Sequence, residues 1–147
     1  MNPPTAPMAD QIRHAVLAMP VAQALQLQFV RIEAGDVELE LPISEAFSFR
    51  PGQLQATAIF AAADFAAVAA AGTLLAPGWI NATIDATLKI VGPATGCRLR
   101  ARGRVVDAGK LLTVCAAEVY AVDADDHETL CATLLGTARN INTAPPH

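Results

Sequence analysis

One long apolar segment with a single charged side chain constrains the fold of this chain more than any other feature. Between Arg50 and Asp85, Asp64 is the only ionisable side chain, and alanine is the commonest residue around it. The pattern predicts a helix from about Gln53 to Gly72, and a helix that is apolar on every side must be covered on every side. The apolar run from Ala56 to Ala76 has the length of a membrane span, but its central carboxylate and high alanine content make that use unfavourable. We therefore expect a buried central helix and no membrane association.

Segments of alternating apolar and polar residues predict strands on both sides of this helix. Two such segments flank Ala34-Gly35-Asp36, which is typical of a β-hairpin. Four further segments follow the helix, which predicts an antiparallel meander of four strands. They are separated at residues 92–94, 107–110 and 123–128. Pro51 and Gly52 precede the helix, and Gly72 is placed for a C-cap. A strongly curled sheet around the helix would provide the cover that it needs, and the alanines would allow close approach.

The length of the chain, 147 residues, is that of a single domain spanning residues 1–147. We place its core at about 20–141, after a short helix at about 8–18 and before a C-terminal tail, 142–147, that we expect to be disordered. Hydrophobic residues make up 53% of the chain and charged residues 16%, which are above and below ordinary usage. We therefore expect other subunits to cover much of the surface in a homo-oligomer.

Charge and cysteine content exclude several partners and compartments. The net charge is −4 and no basic run is interleaved with aromatic residues, so nucleic acid is not an expected partner. The three cysteines lack the spacing of a metal site, which is typical of free thiols in the reducing cytoplasm. They are Cys97, Cys115 and Cys131. The three histidines have no partner pattern and receive no role: His14, His127 and His147. The apolar run after Arg13 has features of a signal peptide, but Asp10 before it and Pro20 within it argue against export.

The residues at the start of the predicted central helix keep a regular spacing. Gly52 comes three residues before Gln55, and Gln55 comes nine residues before Asp64. This spacing resembles the motif of PaaI-like acyl-CoA thioesterases, the phenylacetate-pathway type of hotdog-fold thioesterase. In that family an asparagine and a glycine precede His-Gly-Gly or Gln-Gly-Gly, and an aspartate follows on an apolar helix. Phe49 stands at the place of the asparagine, and alanine and threonine replace the glycine pair.

The resemblance covers about residues 20–141 and extends to the strands after the helix. Thr83, ten residues before Pro93, stands where relatives have a serine or threonine in the site. The resemblance implies an α+β hotdog fold, in which a curled antiparallel sheet is wrapped around a long central helix. It implies hydrolysis of an acyl- or aryl-CoA thioester without a metal or cofactor, in a dimer or a dimer of dimers. It also implies substrate contacts at three motif positions, which are Phe49, Gly52 and Thr57.

Asp64 is the candidate for a catalytic carboxylate. A thioester is hydrolysed when water, or a carboxylate directly, attacks its carbonyl carbon while donors stabilise the charge that develops on oxygen. An apolar helix has no structural need of a carboxylate, and burial would raise its pKa towards the range useful for a base. The alternative is a core aspartate that is hydrogen-bonded to a strand backbone or to Thr87.

The backbone N–H of Ala56 is the candidate donor, because the first amides of a helix lack intrahelical acceptors. The alternative is an ordinary helix start capped by Gln55 or by water. Ala56 and Asp64 are eight residues apart, which is about 12 Å along a straight helix and too far for one carbonyl group. Each site is therefore expected to combine Ala56 of one subunit with Asp64 of its partner. Gln55 would orient the thioester and Thr83 would place the nucleophile or water, or each would make a plain structural hydrogen bond.

Four arginines alternate with apolar residues along one predicted strand and therefore share one of its faces. They are Arg98, Arg100, Arg102 and Arg104. Arg98 and Arg100 are candidates for binding the phosphates of CoA. The alternative is a solvated face or salt bridges with aspartate and glutamate.

Two functions remain open at this point, an acyl-CoA thioesterase and a hotdog protein that binds acyl-CoA without hydrolysing it. The second is suggested by Phe49 and by the replaced glycine pair. A hydratase on this fold would require a histidine at or before the central helix, where Gln55 stands instead. A hotdog transcription regulator would require an added DNA-binding segment, which the sequence lacks.

Overall fold

A computed structural model of the chain describes residues 6–145. Its helices are α1 (Ala6–Leu17), α2 (Pro20–Ala24) and α3 (Ala56–Gly72). Its strands are β1 (Gln28–Glu33), β2 (Asp36–Pro42), β3 (Ser48–Arg50), β4 (Gln53–Leu54), β5 (Trp79–Ile90), β6 (Arg98–Ala108), β7 (Leu112–Val122) and β8 (Glu128–Asn142). A 3₁₀ turn, Glu45–Phe47, precedes β3. The predicted C-terminal tail was 142–147, but Asn142 is the last residue of β8. Residues 146 and 147 lie outside the described part. Within residues 6–145 no helix has the length and apolar character needed to cross a membrane.

Six strands form one antiparallel sheet in the order β1-β2-β6-β7-β8-β5, and β3 pairs with β4 in a separate hairpin. The predicted hairpin of β1 and β2 is present. The predicted meander of the last four strands is wrong in one respect, because β5 pairs with β8 at the far edge and not with β6. Alternation identifies a strand but does not specify its neighbour.

Opposite charges explain why β6 lies beside β2. Their antiparallel register places Asp36 opposite Arg104, Glu38 opposite Arg102 and Glu40 opposite Arg100. Cross-strand pairs of opposite charge stabilise a sheet, each by roughly 0.2–1 kcal/mol. If β5 took the place of β2 beside β6, the arginines of β6 would lose their pairing with the carboxylates of β2.

α3 lies directly on the sheet, as its small residues predict. Ala62, Ala63, Ala66 and Ala67 are completely buried against the strands. A Cβ atom built on Gly103 of β6 would lie 2.0 Å from the carbonyl oxygen of Ala66, so the two backbones are in contact at that point. The alanines and this glycine set the distance between the helix and the sheet.

The ends of α3 differ from the sequence prediction. The helix begins at Ala56, because Gln53 and the next residue pair with β3. Gly72 is the last helical residue and not a left-handed cap; Thr73 follows it in the right-handed helical region, with φ −63° and ψ −21°. The Thr73 hydroxyl donates to the carbonyl of Ala70 at 2.7 Å and accepts from the N–H of Gly35 at 2.7 Å. A buried threonine therefore ends the helix and ties it to the β1–β2 turn.

Candidate active site

Asp64 lies on a stripe of α3 that the sheet does not cover. The stripe also contains Phe60, Ala61, Phe65 and Val68, all of them half-buried, whereas the residues that face the strands are buried. The sheet therefore covers one side of α3, and the carboxylate is accessible on the other side.

Thr83 of β5 donates a hydrogen bond from its hydroxyl to Oδ1 of Asp64 at 2.9 Å. The structure thus brings these two predicted site residues together, whereas the alternative partner Thr87 pairs with Leu135 further along β5. Burial raises the pKa of Asp64 above its ordinary value, and the hydrogen bond from Thr83 lowers it by a smaller amount. Among residues 6–145, Oδ2 of Asp64 has no hydrogen-bond partner.

An irregularity in β5 directs Thr83 towards α3. Ala86 packs against the core, and strict alternation would then turn Ile84 inwards and Thr83 outwards. The register shifts between Thr83 and Asp85, however, so the alternation reverses there. Ile84 is 57% exposed as a result, and Thr83 reaches the carboxylate. The sequence contains no signal for this shift that we recognised.

The start of α3 is capped by Gln55. Its side-chain oxygen Oε1 accepts from the backbone N–H of Thr57 at 2.7 Å and from the Thr57 hydroxyl. Ala56 is exposed, and its N–H has no acceptor among the described residues. The cap leaves the Gln55 side-chain NH₂ without an acceptor within residues 6–145.

Ala56 and Asp64 are not brought together within one chain. Both belong to the single helix Ala56–Gly72. At about 1.5 Å per residue, eight residues separate them by about 12 Å along its axis. One thioester cannot contact both groups of the same subunit.

Phe49 and Gly52 lie in the β3–β4 hairpin that leads into α3. Phe49 is 59% exposed, and the Arg50 guanidinium lies 5.5 Å from the centre of its ring. Gly52 has φ +76°, in the left-handed region that favours glycine, and its N–H faces the Glu45 carboxylate at 3.3 Å. The backbone N–H of Gln55 donates to the carbonyl of Phe47 at 2.9 Å, so the hairpin fixes the start of the helix.

Arg98 and Arg100 lie on the face of the sheet opposite α3 and are already paired. Nε of each donates to Glu40, at 2.8 and 2.9 Å respectively. Arg100 and Arg102 also hold Glu128, and their hydrogen bonds lower the pKa of that carboxyl to about 2. These arginines therefore form salt bridges with acidic side chains, which is the alternative that the sequence left open. Their binding of CoA phosphates stays a prediction.

A cavity of about 600 Å³ adjoins the Asp64 side of α3. Its walls are α1, the second half of α3 and the residues from Leu75 to Thr83, and both Asp64 and Thr83 line it. α1 was predicted from its apolar spacing, but nothing in the sequence indicated that it would lie over the carboxylate. This cavity is the feature of the site that sequence reasoning missed.

One group of possible metal ligands lies within the described residues, in the exposed turn between β7 and β8. Its members are Asp123, Asp125 and His127. Oδ1 of Asp123 accepts from the backbone N–H groups of the other two residues, both at 2.9 Å. These hydrogen bonds stabilise the turn and explain why the three side chains lie together. The turn is far from α3 in the sequence.

Because the Asp64 carboxylate is partly buried, we expect the stability of the protein to depend on pH. Because the pKa of Asp64 in the folded protein lies above the ordinary 3.8, the folded state binds more protons than the unfolded state between these two values. Stability should therefore fall as the pH rises through this window and then level off. Asp64→Asn should remove this component, so that its thermal midpoint exceeds that of the wild type at pH 8 and approaches it at pH 4. A wild-type midpoint that is the higher one at pH 8 would contradict this prediction.

No family model matches the sequence, and no curated protein matches it. Among solved structures, a thioesterase family protein from Silicibacter pomeroyi is 29% identical, with a TM-score of 0.88 over 92% of this chain and 98% of that chain. A thioesterase from Haemophilus influenzae is 16% identical, with a TM-score of 0.83 over 100% and 99%. The PaaI protein from the phenylacetic acid degradation operon of E. coli is 19% identical, with a TM-score of 0.80 over 95% and 97%.

These likenesses confirm the predicted hotdog fold, and the chain is similar in structure to the PaaI protein, as the sequence resemblance predicts. The thioesterase family protein, at 29% identity, also supports the predicted class of enzyme, a thioester hydrolase.

Proposed function

We propose that this chain, a hotdog-fold relative of the PaaI-like thioesterases, hydrolyses an acyl- or aryl-CoA thioester to the free acid and CoA. The observation that carries the proposal is the position of Asp64. It is a carboxylate with a raised pKa, held by Thr83, at the wall of a largely apolar cavity. Perturbed carboxylates in such clefts are typical of catalytic sites.

Asp64 acts as the base or as the nucleophile. As a base, its free Oδ2 takes a proton from water, the resulting hydroxide attacks the carbonyl carbon, and the C–S bond breaks. The proton then passes to the departing thiolate of CoA. As a nucleophile, the carboxylate itself attacks, CoA leaves, and water hydrolyses the mixed anhydride. In both routes Thr83 orients the carboxylate through Oδ1.

The Ala56 N–H of the partner subunit stabilises the charge on the carbonyl oxygen. This assignment is supported by the separation of about 12 Å between the two groups in one helix and by the absence of an acceptor for this N–H within residues 6–145. It is also supported by the first half of the half-buried stripe of α3, which lies outside the cavity and offers Phe60 and Ala61 to a second subunit. The protein is thus a dimer, alone or within a dimer of dimers, with each site at a subunit interface.

Substrate binding is assigned to residues at the same end of α3 as Ala56. The side-chain NH₂ of Gln55 has no acceptor within residues 6–145 and can donate to the thioester, while Oε1 accepts from Thr57. Phe49 and Gly52 lie in the adjoining hairpin. We assign these residues, with Thr57, to contacts with the CoA side of the substrate.

Two measurements made together test the proposal. Release of CoA from acyl- and aryl-CoA esters is followed with a thiol reagent, and binding of the same esters is measured by calorimetry. We expect both binding and release. Binding without release would support the alternative of a non-catalytic acyl-CoA-binding protein, and the absence of both would contradict the proposal.

The pH dependence of hydrolysis should follow the ionisation of Asp64. Because the deprotonated form is active in both routes, kcat/KM should rise with pH through a midpoint above the ordinary value for aspartate. Thr83→Val removes the hydrogen bond that lowers this pKa, so the midpoint should move to higher pH. Thr83→Ser keeps a hydroxyl and is the matched control, with a midpoint near that of the wild type. An unchanged midpoint in Thr83→Val would show that Asp64 does not control the profile.

A further inference from the structure

The cavity beside Asp64 follows the second half of α3, and on this helix the carboxylate is its first lining residue. The part of α3 that lines the cavity begins at Asp64 and continues through Val68 to Gly72. No residue of α3 before Asp64 lines it. The cavity therefore extends from the carboxylate towards the C-terminal end of the helix.

β5 forms a second wall that runs antiparallel to α3. Thr83 is bonded to Asp64, and two residues earlier the Asn81 side chain donates to the carbonyl of Val68 at 3.0 Å. A Cβ atom built on Gly72 would lie 3.7 Å from that same Asn81 amide. The strand and the helix therefore lie side by side from the carboxylate to the far end of the cavity.

The helix wall gives the depth of the cavity. Eight helical residues from Asp64 to Gly72 span about 12 Å at about 1.5 Å each. The turn that follows, from Leu75 to Gly78, lines the cavity at this end.

α1 covers the cavity with an apolar face. Met8, Ile12 and Val16 line it at intervals of four residues, one above another on the helix. Ile12 reaches the far end, where its Cδ1 would lie 3.9 Å from a Cβ atom on Gly72. Two further polar residues line the cavity: Gln11 is exposed to solvent, and Asn81 is already bonded to α3. Beyond the carboxylate, the walls therefore favour an apolar ligand.

We propose that this cavity binds the acyl chain of a straight-chain, medium-length acyl-CoA of about eight to ten carbons, with the thioester at Asp64. With bonds of about 1.5 Å and angles of about 111°, an extended chain advances about 1.25 Å per carbon, so about ten carbons fill 12 Å. A short aryl group would leave the end at Gly72 empty. This inference rests on the proposed function, because it assumes that the reacting group lies at Asp64.

A series of saturated acyl-CoA esters from acetyl to tetradecanoyl, with phenylacetyl-CoA beside them, tests the depth. Each buried methylene should raise kcat/KM by about fourfold, up to about ten carbons, with no further gain beyond. A phenylacetyl ester that exceeds the decanoyl ester, or a profile that is flat from acetyl to tetradecanoyl, would overturn the inference.

Gly72→Leu tests the far end. A Cβ atom at this position has ordinary contacts with Ile12 of α1 and Asn81 of β5, so there is room for it, and the larger side chain would occupy the end of the cavity. It should lower kcat/KM for decanoyl-CoA at least tenfold more than for butyryl-CoA and move the optimum to a shorter chain. His14→Leu, an exposed position of α1 that does not line the cavity, is the matched control and should leave the optimum unchanged. An unchanged optimum in Gly72→Leu would overturn the inference.

Fluorescence separates this inference from the proposed function. Trp79 is the single tryptophan of the chain, and it lines the cavity. Titration of the protein with decanoyl-CoA should shift its emission, whereas acetyl-CoA should not, and Gly72→Leu should weaken the decanoyl response. If this fluorescence response occurs without any hydrolysis, the acyl-chain pocket is supported and the proposed thioesterase activity is wrong. If the protein hydrolyses the esters but neither assay depends on chain length, the thioesterase activity is supported and the inference of an acyl-chain pocket is wrong.

Discussion

Asp64→Asn is expected to lower kcat for thioester hydrolysis by about 10²- to 10⁴-fold, the range typical for loss of a positioned acid–base group. The amide has nearly the same shape as the carboxylate, and its oxygen can still accept from the Thr83 hydroxyl. Packing and the β5 contact are therefore retained, and only the ionisable group is lost. Binding of acyl-CoA, measured by calorimetry, should stay within a few-fold of the wild type.

Asp85→Asn is the matched control for this change. Asp85 also belongs to the site end of β5, but it is exposed, and its side chain has no hydrogen bond to the described residues. Its replacement should change kcat less than threefold. If Asp64→Asn keeps turnover within a few-fold of the wild type, Asp64 is a structural residue and the proposed mechanism is wrong.

Gly103→Ala should prevent stable folding. The added Cβ atom would lie 2.0 Å from the carbonyl oxygen of Ala66 and 2.6 Å from the backbone nitrogen of Ala67. Overpacking in a core usually costs about 1–3 kcal/mol, because neighbouring side chains can move aside. Here both partners are backbone, so α3 would have to move off the sheet. We expect a loss of more than about 3 kcal/mol in the free energy of unfolding, which is a large fraction of the 5–15 kcal/mol typical of a domain.

Gly72→Ala adds the same atom where there is room and is the control for Gly103→Ala. Its Cβ would lie 3.7 Å or more from its nearest neighbours. Because alanine favours a helix over glycine by up to about 1 kcal/mol, this variant should be neutral or slightly stabilised. Urea denaturation measures the free energy of unfolding of both variants. A Gly103→Ala protein that loses less than about 1 kcal/mol would contradict the backbone contact between α3 and β6.

Periodicity predicted α1, α3, the first hairpin and the last four strand segments, since these depend on residues close in the chain. It did not place β5 beside β8, because a strand's alternation is the same whichever neighbour it has. The sequence did contain a signal for the β2–β6 pair, in Glu38 and Glu40 facing the arginine row of β6. The helix start was placed too early because Gln53 is held by a strand pairing and not by local preference.

Asp64 could be found from the sequence because it is the one charge in an apolar helix. Its contact with Thr83 depends on the register shift in β5, which reverses the alternation of that strand. The cavity depends on how α1 packs over α3. Both are tertiary features that separate parts of the chain create together, and neither leaves a local pattern.

The claim that two subunits share each site depends on the separation of Ala56 and Asp64. Ala56→Pro is suited to testing it, since Ala56 is the first helical residue and its N–H has no acceptor among residues 6–145. Proline is tolerated at that position, and Gln55 already has the extended conformation that a following proline requires, with ψ 152°. Ala56→Ser keeps the N–H and is the matched control, with activity near that of the wild type. Asp64→Asn and Ala56→Pro should each be nearly inactive alone.

The two inactive variants, unfolded together and refolded as a mixture, test the shared site most directly. In each mixed dimer one site has both substitutions and the other has neither. With random pairing half of the dimers are mixed and half of their sites are intact, so we expect about a quarter of the wild-type activity. The same variants mixed without unfolding should stay inactive if their subunits do not exchange. A refolded mixture that stays inactive, although mixed dimers are shown to form, would contradict the site shared between Asp64 and the partner's Ala56.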